Sequence, residues 1–285
     1  MRPTIRILPV LIAGALVLAA CGSVPTGDGG TETIDHPTGA GDLVLRVSTE
    51  GGFVPVDYAL SAVPGFSLMG DGTMIVTGPQ IEIYPPPAMT PLVQRSIDEA
   101  GVQAILQRAE AAGLLGQDRS YTSMQVTDAP TTTFTVVAGG KAHVVSVYAL
   151  GIGDDASGMS ESERRDRRAL GDLQNDLFDL QRWLPDGSIG PEVPFTPAAV
   201  RLFVGRYRGD AQVPQESVPW PLDEPLSEIA VTPVPGGFSC GVVEGANLEA
   251  VLPELDRATT LTPWVSDGRR SALIPRPMLP DERGC

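Results

Sequence analysis

Glycine, proline and aspartate divide this chain into short apolar segments, and this limits its fold more than any other feature. Gly70–Gly72, Gly139–Gly140 and Ser266–Gly268 each separate two apolar segments, which predicts three β-hairpins. Leu43–Val47 is a further short strand by the same pattern, and Ile81–Tyr84 alternates apolar and polar residues like a half-buried strand. A chain of this kind favours antiparallel sheet.

Two longer segments have helical spacing, and each begins with a capping box, in which a serine and a glutamate three residues later satisfy the first backbone N–H groups. The boxes are Ser96 with Glu99 and Ser160 with Glu163. The first helix is expected to end at Gly113 and the second near Leu184. A short helix around Leu248–Leu255 should be shortened or kinked by Pro253.

Strands, a helix and a hairpin occur in the same order in both halves of the chain. This pattern predicts an α+β fold, with a few helices packed on antiparallel sheets. Two similar halves are left open, because no repeat of individual residues supports a duplication. Residues 185–198 contain four prolines and two glycines, which predicts a linker over 186–198. The expected domains are therefore residues 42–185 and 199–285.

The N-terminus has the layout of a secretory signal peptide. Arg2 and Arg6 precede an apolar run over residues 7–20, which is too short to span a bilayer. Leu18-Ala19-Ala20-Cys21 resembles the lipobox of bacterial lipoproteins. In that class the cysteine receives a diacylglyceryl group and becomes the first residue after cleavage. The resemblance implies a signal peptide over residues 1–20 and lipidation of Cys21.

The same resemblance implies an address, namely the outer face of the cytoplasmic membrane, with attachment through the acyl chains. Residues 21–41 contain almost no large apolar side chains, so we expect a flexible tether in which His36 is solvated. The basic residues are nineteen arginines and Lys141, a bias typical of GC-rich genomes. The globular part resembles lipoproteins of actinobacteria, a resemblance that implies no activity for particular residues.

The chain is strongly acidic, with a net charge of −15. Cleavage would also remove Arg2 and Arg6, which leaves −17. Such a charge argues against nucleic acid as a partner and against electrostatic binding to anionic lipid headgroups. The membrane is therefore expected as a partner only through the lipid on Cys21.

A search for catalytic and metal-binding patterns mostly gives negative results. Ser239 lies in a G-x-S-x-G pattern, but strand-like residues follow it and no histidine follows His143. His36 and His143 stand alone, so we expect no metal site and no cofactor. Asp154 and Asp155 lack the spacing of a calcium loop. A pair of carboxylates acting together in the fold is left open.

Two sets of residues remain as candidate sites. Four arginines at the start of the long helix predict either a solvated helix face or a docking patch for an acidic partner: Arg164, Arg165, Arg167 and Arg168. Lipidation of Cys21 leaves Cys240 and Cys285, which we expect to form a disulfide outside the cytoplasm. That bond would fasten the C-terminus of the chain.

The leading hypothesis is a non-catalytic, membrane-anchored lipoprotein that contacts another component of the cell envelope. The alternatives are a cell-wall enzyme that acts through carboxylates and a module that binds a small ligand or lipid. A shifted carboxylate in a cleft would favour the enzyme. A large apolar cavity would favour the ligand module, and an exposed apolar surface would favour a binding partner.

Overall fold

The structure is a computed structural model that describes residues 33–122, 126–153 and 158–285. Ile34–Cys285 form one compact unit. The predicted signal peptide, Cys21 and the first part of the tether lie outside the described residues, as do Asp154 and Asp155.

Eight strands form the first sheet, in the order β5-β7-β6-β1-β2-β3-β4-β8. Neighbouring strands are antiparallel except β5 and β7, which are parallel. Both hairpins predicted in this region are confirmed, β2–β3 and β6–β7. Gly72, Gly139 and Gly140 have positive φ in these turns, a conformation that favours glycine. The strands are β1 (Leu43–Gly51), β2 (Phe66–Met69), β3 (Thr73–Thr77), β4 (Leu92–Ser96), β5 (Arg119–Tyr121), β6 (Pro130–Ala138), β7 (Lys141–Tyr148) and β8 (Val193–Pro194).

Six strands form the second sheet, in the order β10-β13-β14-β9-β12-β11. Here β10 and β13 are parallel and the other pairs are antiparallel. The third predicted hairpin is confirmed as β13–β14, with Asp267 and Gly268 at positive φ. The strands are β9 (Ala199–Arg206), β10 (Val218–Pro219), β11 (Thr232–Val234), β12 (Phe238–Glu244), β13 (Trp264–Ser266) and β14 (Arg269–Pro277).

Five α-helices occur in the described residues: α1 (Val56–Ser61), α2 (Glu99–Ala111), α3 (Glu161–Phe178), α4 (Leu226–Ile229) and α5 (Gly245–Arg257). Together with the two sheets they confirm the α+β class. The sheets differ in strand number and strand order, so the two halves of the chain do not share a topology.

The two capping boxes have different outcomes. Ser160 caps α3, because its Oγ accepts a hydrogen bond from the Glu163 N–H at 3.1 Å. The box at Ser96 is wrong: Asp98 caps α2, and its Oδ1 accepts from the Gly101 N–H at 2.8 Å. Ser96 ends β4 instead, where its carbonyl accepts from the Gly190 N–H. The boundaries also shift, since α3 stops at Phe178 and α5 runs through Pro253.

Each sheet buries one face against helices. In the first sheet, Val47, Phe66, Phe134 and other strand residues pack against leucines and isoleucines of α2 and α3. Leucines of the long helix with the predicted helical spacing are buried here: Leu170, Leu173 and Leu177. In the second sheet, Val200, Leu202 and Trp264 pack against α5. Burial of these apolar faces stabilises both layers.

The flexible tether does not extend to residue 41 as predicted. The Gln103 side chain accepts from the Ile34 N–H and donates to the Ile34 carbonyl, both at 2.9 Å. The Gly139 N–H donates to the Asp35 carbonyl at 2.8 Å. The His36 side chain is 5% exposed and lies beside Pro37 and Glu99, so it is not solvated. Hydrogen bonds to Gln103 and Gly139 hold Ile34 and Asp35 on the fold, which composition alone could not reveal.

The predicted linker and one predicted strand also differ from the structure. Val193–Pro194, within the expected linker, form the edge strand β8 of the first sheet, and Ile189 bridges to Ile97. Residues 186–198 therefore contribute to the sheet rather than separating two bodies. Ile81–Tyr84 is not a strand, because β3 and β4 pair directly with each other and leave this segment outside the sheet.

Candidate interaction surface

The catalytic patterns rejected from sequence do not form an active site among the described residues. Ser239 lies within β12, paired with Val204 of β9, and His143 lies in the other sheet with its Nδ1 2.8 Å from the Gly116 carbonyl. Among the described residues, no group of three histidine, cysteine or acidic side chains is placed to hold a metal ion.

Two modest cavities lie at the surface. One, of about 260 Å³, has an apolar floor that includes Met74 and Leu180, and it is bordered by Arg95, Asp179 and Glu192. Its charges are mixed, since the Arg95 Nε is 3.8 Å from the Glu192 Oε2. The other, of about 320 Å³, lies between the last residues of the chain and strands β9 and β12. Both volumes are at the small end of the range for ligand pockets.

The four arginines proposed as a docking patch do not share one surface. Arg167 is fully buried, and its Nη2 donates to the Tyr148 carbonyl at 3.1 Å and the Ala149 carbonyl at 2.8 Å. Arg164 is half-buried and donates to the Met159 carbonyl, whereas Arg165 and Arg168 are exposed. The patch prediction is therefore wrong for Arg167, which joins α3 to the end of β7 inside the protein.

The predicted disulfide joins Cys240 and Cys285, with a Cα–Cα distance of 5.9 Å. It fastens the C-terminal segment, defined here as Met278–Cys285, to β12 of the second sheet. Leu279 of this segment is buried against Met69, Ile75 and Leu92 of the first sheet. The C-terminal segment thus contacts both sheets.

Charged side chains strengthen both of these contacts. Arg46 of β1 makes a bidentate ion pair with Asp281, at 2.9 and 2.6 Å. Arg276 of β14 makes another with Glu282, at 2.8 Å for both bonds. The four side chains are between 9% and 19% exposed. Two adjacent residues of the C-terminal segment therefore bind one sheet each, through nearly buried bidentate pairs.

The charge state of Glu282 depends on its partners. Burial acts to raise the pKa of Glu282, but hydrogen bonds and charge from Arg276, together with the Leu279 N–H and the charge of Arg201, hold it below its ordinary value. The carboxylate is therefore stabilised in its ionised form at neutral pH. Arg276 also donates from Nε to the Ala62 carbonyl at 2.6 Å, directly after α1.

α1 and the loop before it form an outward projection. Gly51 and Gly52 have φ near +80°, which turns the chain out of β1. The Phe53 N–H then donates to the Asp128 carbonyl at 3.2 Å. Pro55 precedes the helix, and Ala62 follows it in an extended conformation. The projection is thus fixed at both ends, by Asp128 at its start and by Arg276 at its end.

Large apolar side chains cover this projection and face outward. We call it the α1 surface, defined by Phe53, Val54, Val56 and Tyr58, which are 91%, 39%, 40% and 64% exposed. α1 has no buried residue. Short helices are marginal in water and usually gain stability by packing an apolar face. A helix that exposes its apolar residues suggests an interaction site.

Three acidic residues adjoin the α1 surface, and the guanidinium that reaches its end, that of Arg276, is already paired with Glu282. Glu50, Asp57 and Asp128 are exposed, and none forms an ion pair within the described part of the chain. No lysine or arginine occurs between Arg46 and Arg95. The turn that contacts Val56, at residues 235–237, is also uncharged.

A second exposed apolar segment also lies between Arg46 and Arg95. Ile81, Ile83 and Tyr84 are more than half exposed in the loop between β3 and β4. The Tyr84 hydroxyl donates to Asp210 at 3.2 Å, and this hydrogen bond raises the pKa of Tyr84. Residues 86–88 then bond to the segment after α5. This loop is fixed to the second sheet on one side and exposes its apolar tip.

The sequence reasoning did not identify the α1 surface. Its apolar residues resemble core residues when the chain is considered alone, and their exposure depends on which strands pair. One signal was present in the sequence, namely 48 consecutive residues, 47–94, without a basic side chain. An apolar stretch with only acidic charges is unusual in a chain that contains nineteen arginines.

Comparison with protein-family models, with curated proteins and with solved structures finds no match to this chain. Within residues 33–122, 126–153 and 158–285, no helix is both long and apolar enough to cross a membrane.

Proposed function

We propose that this protein is a membrane-anchored lipoprotein, held at the outer face of the cytoplasmic membrane by a lipid on Cys21. Its folded unit contacts another component of the cell envelope and has no catalytic role of its own. The observation that carries this proposal is the α1 surface, on which Phe53 is almost fully exposed. Exposed apolar surface of this kind is typical of interaction sites.

The position of the α1 surface suits a protein attached by its N-terminal end. Residues 34–41 lead into the first residue of β1, and the α1 surface follows its last residue, Gly51. A nine-residue strand is about 30 Å long at roughly 3.3 Å per residue. The α1 surface therefore lies one strand length from the start of β1, the end at which residues 34–41 enter the sheet.

The alternatives have less support. The pKa of Asp256 is raised by partial burial, but Asp256 lies on the exposed side of α5 and lines neither cavity described above. The pKa of Glu282 is lowered, and its carboxylate is occupied by Arg276. The two cavities are small and partly polar, unlike the large apolar cavity expected of a lipid-binding module.

The anchoring part of the proposal is tested by detergent phase partitioning of the native protein and of Cys21→Ser. Two acyl chains give stable membrane attachment, at about 0.8 kcal/mol per buried methylene. We expect the native protein in the detergent phase and the Cys21→Ser protein either uncleaved or in the aqueous phase. A processed Cys21→Ser protein that partitions like the native one would contradict lipidation.

The contact part is tested by photocrosslinking in intact cells. A photoreactive amino acid at Phe53 or Tyr58 should give one defined crosslinked species, identified by mass spectrometry. The control places the same photoreactive amino acid at Lys141, an exposed position in the β6–β7 hairpin of the first sheet. Equal crosslinking at Lys141, or none at Phe53 and Tyr58, would refute the α1 surface as the contact.

A further inference from the structure

We infer that the α1 surface accepts a basic, apolar polypeptide segment of the partner protein. This inference rests on the proposed function and adds the chemistry of the partner. The apolar part of that chemistry follows from Phe53, Val54, Val56 and Tyr58, which would lose water contact when covered. The basic part follows from the charges that surround them.

Three exposed carboxylates adjoin the α1 surface. Glu50 lies in the strand before it, Asp57 lies within α1, and Asp128 lies in the loop that holds Phe53. None of them has an ion-pair partner among the described residues. Complementary charges at the rim of an interface give specificity and faster association. Lysine and arginine on the partner would supply them.

Two other occupants fit less well. A second copy of this chain in a symmetric dimer would place the same surface on itself, and its carboxylates would face carboxylates. An anionic membrane would also be repelled by these side chains, and Arg46 of β1 and Arg276 of β14 are already paired with Asp281 and Glu282. A basic segment of another protein satisfies both the apolar and the acidic character.

The test uses two synthetic amphipathic helices of about 18 residues, or five turns. Both have the same leucine face, and the polar face carries lysine in one and glutamate in the other. Binding is measured by fluorescence anisotropy with the full chain carrying Cys21→Ser, so that no lipid competes for the peptides. We expect the lysine peptide to bind and the glutamate peptide to bind at least about tenfold more weakly.

Variants separate this surface from general attraction to an acidic protein. The triple variant Glu50→Gln, Asp57→Asn, Asp128→Asn should bind the lysine peptide about tenfold more weakly than the native chain does. A matched triple variant of exposed carboxylates elsewhere should change the affinity for the lysine peptide by less than about twofold: Glu110→Gln, Glu228→Gln and Glu249→Gln. The double variant Phe53→Ser, Tyr58→Ser should abolish binding. Asp128→Asn is compatible with the positive φ at this position, which asparagine tolerates.

Each outcome decides between the hypotheses. Equal weakening by both triple variants, equal binding of both peptides, or no binding of either would overturn the basic character of the partner. Binding to anionic vesicles tests a membrane as the occupant. If the native chain binds these vesicles and the variant lacking these three carboxylates binds them equally strongly, the result supports a membrane instead. Crosslinking at Phe53 in cells is independent of the peptides. Its failure would refute the contact itself, whereas failure of the peptides alone would refute only the stated chemistry.

Discussion

The C-terminal segment and the α1 surface place side chains in opposite ways. In the C-terminal segment, Asp281 and Glu282 are nearly buried and paired with arginines. On the α1 surface, Phe53 and Tyr58 are mostly exposed. The two regions are neighbours, because Arg276 binds both Glu282 and the Ala62 carbonyl. Charge inside the protein holds the two sheets together, and apolar surface outside remains free to contact another molecule.

This comparison predicts that covalent and ionic changes in the C-terminal segment will affect stability, whereas changes on the α1 surface will affect binding. The largest effect is expected for the disulfide. Replacing Cys285 by alanine should lower the free energy of unfolding by about 4 kcal/mol, because the bond closes a loop between residues 45 positions apart. Urea unfolding of the native and Cys285→Ala proteins measures the difference.

The control for this experiment is the native protein unfolded with and without reductant. Its free energy of unfolding should fall by a similar amount when the reductant is present. Alkylation of the denatured, unreduced protein should find no free thiol at Cys240 or Cys285. Two free thiols in exported protein, or equal stability with and without reductant, would mean that the C-terminal segment is held without a disulfide, by its ion pairs and the packing of Leu279.

The next effect is expected at the ion pair on the second sheet. Glu282→Gln should destabilise the fold by about 3 kcal/mol, because it leaves the nearly buried Arg276 without its counter-charge. Glu228→Gln, an exposed position, should change stability by less than about 0.5 kcal/mol. Similar effects of the two substitutions would show that the pair is solvated in solution.

The same pair makes stability depend on pH. The folded pKa of Glu282 lies below its unfolded value, so its contribution is present above the unfolded pKa and is lost as the pH falls through the folded pKa. We therefore expect the native protein to lose stability in acid more steeply than Glu282→Gln. Thermal unfolding of both proteins between neutral pH and pH about 3 measures this, and parallel curves would contradict it.

A smaller effect is expected at the start of the fold. Removing residues 34–40 should cost about 2 kcal/mol, since it breaks the hydrogen bonds of Ile34 and Asp35. Gln103→Ala should reproduce part of this loss, because Gln103 makes two of those bonds. Chains that begin at Ile34 and at Gly41 can be compared by thermal unfolding. Identical melting temperatures would mean that residues 34–40 add no stability, as expected of a flexible tether that extends to residue 41.

The smallest effect on stability is expected on the α1 surface. Phe53→Ser with Tyr58→Ser should change the free energy of unfolding by less than about 0.5 kcal/mol, because these side chains are mostly exposed. With the photoreactive amino acid placed at Val54 instead, the same variant should also lose crosslinking in cells. A large loss of stability would show that the α1 surface packs within this protein and would remove the contrast between the two regions.

Local signals in the sequence predicted the parts of the fold that depend on a few adjacent residues. The Gly72 and Gly139–Gly140 turns fix hairpins locally, and Ser160 caps α3 without distant help. The Cys240–Cys285 pairing followed from the number of available cysteines. These features need no knowledge of the tertiary fold.

The failures have a common cause, which is contact between distant residues. Ile34 is ordered by Gln103, and Val193 becomes a strand because β4 has a free edge. Arg167 belongs to a charged run in the sequence, but it is buried because carbonyl groups at the end of β7 accept hydrogen bonds from its guanidinium. The exposure of the α1 surface is of the same kind. Sequence periodicity identifies apolar residues, but only the fold shows which of them stay uncovered.

The pairing of Arg46 with Asp281 has a consequence for the order of folding, because 235 positions separate them. A chain is synthesised from its N-terminus, so the strands of the first sheet can form before residue 281 has emerged. Contacts of such long range form late. The ion pair can therefore join the two sheets only after nearly the whole chain has emerged, and Cys285 can pair with Cys240 only at that final stage.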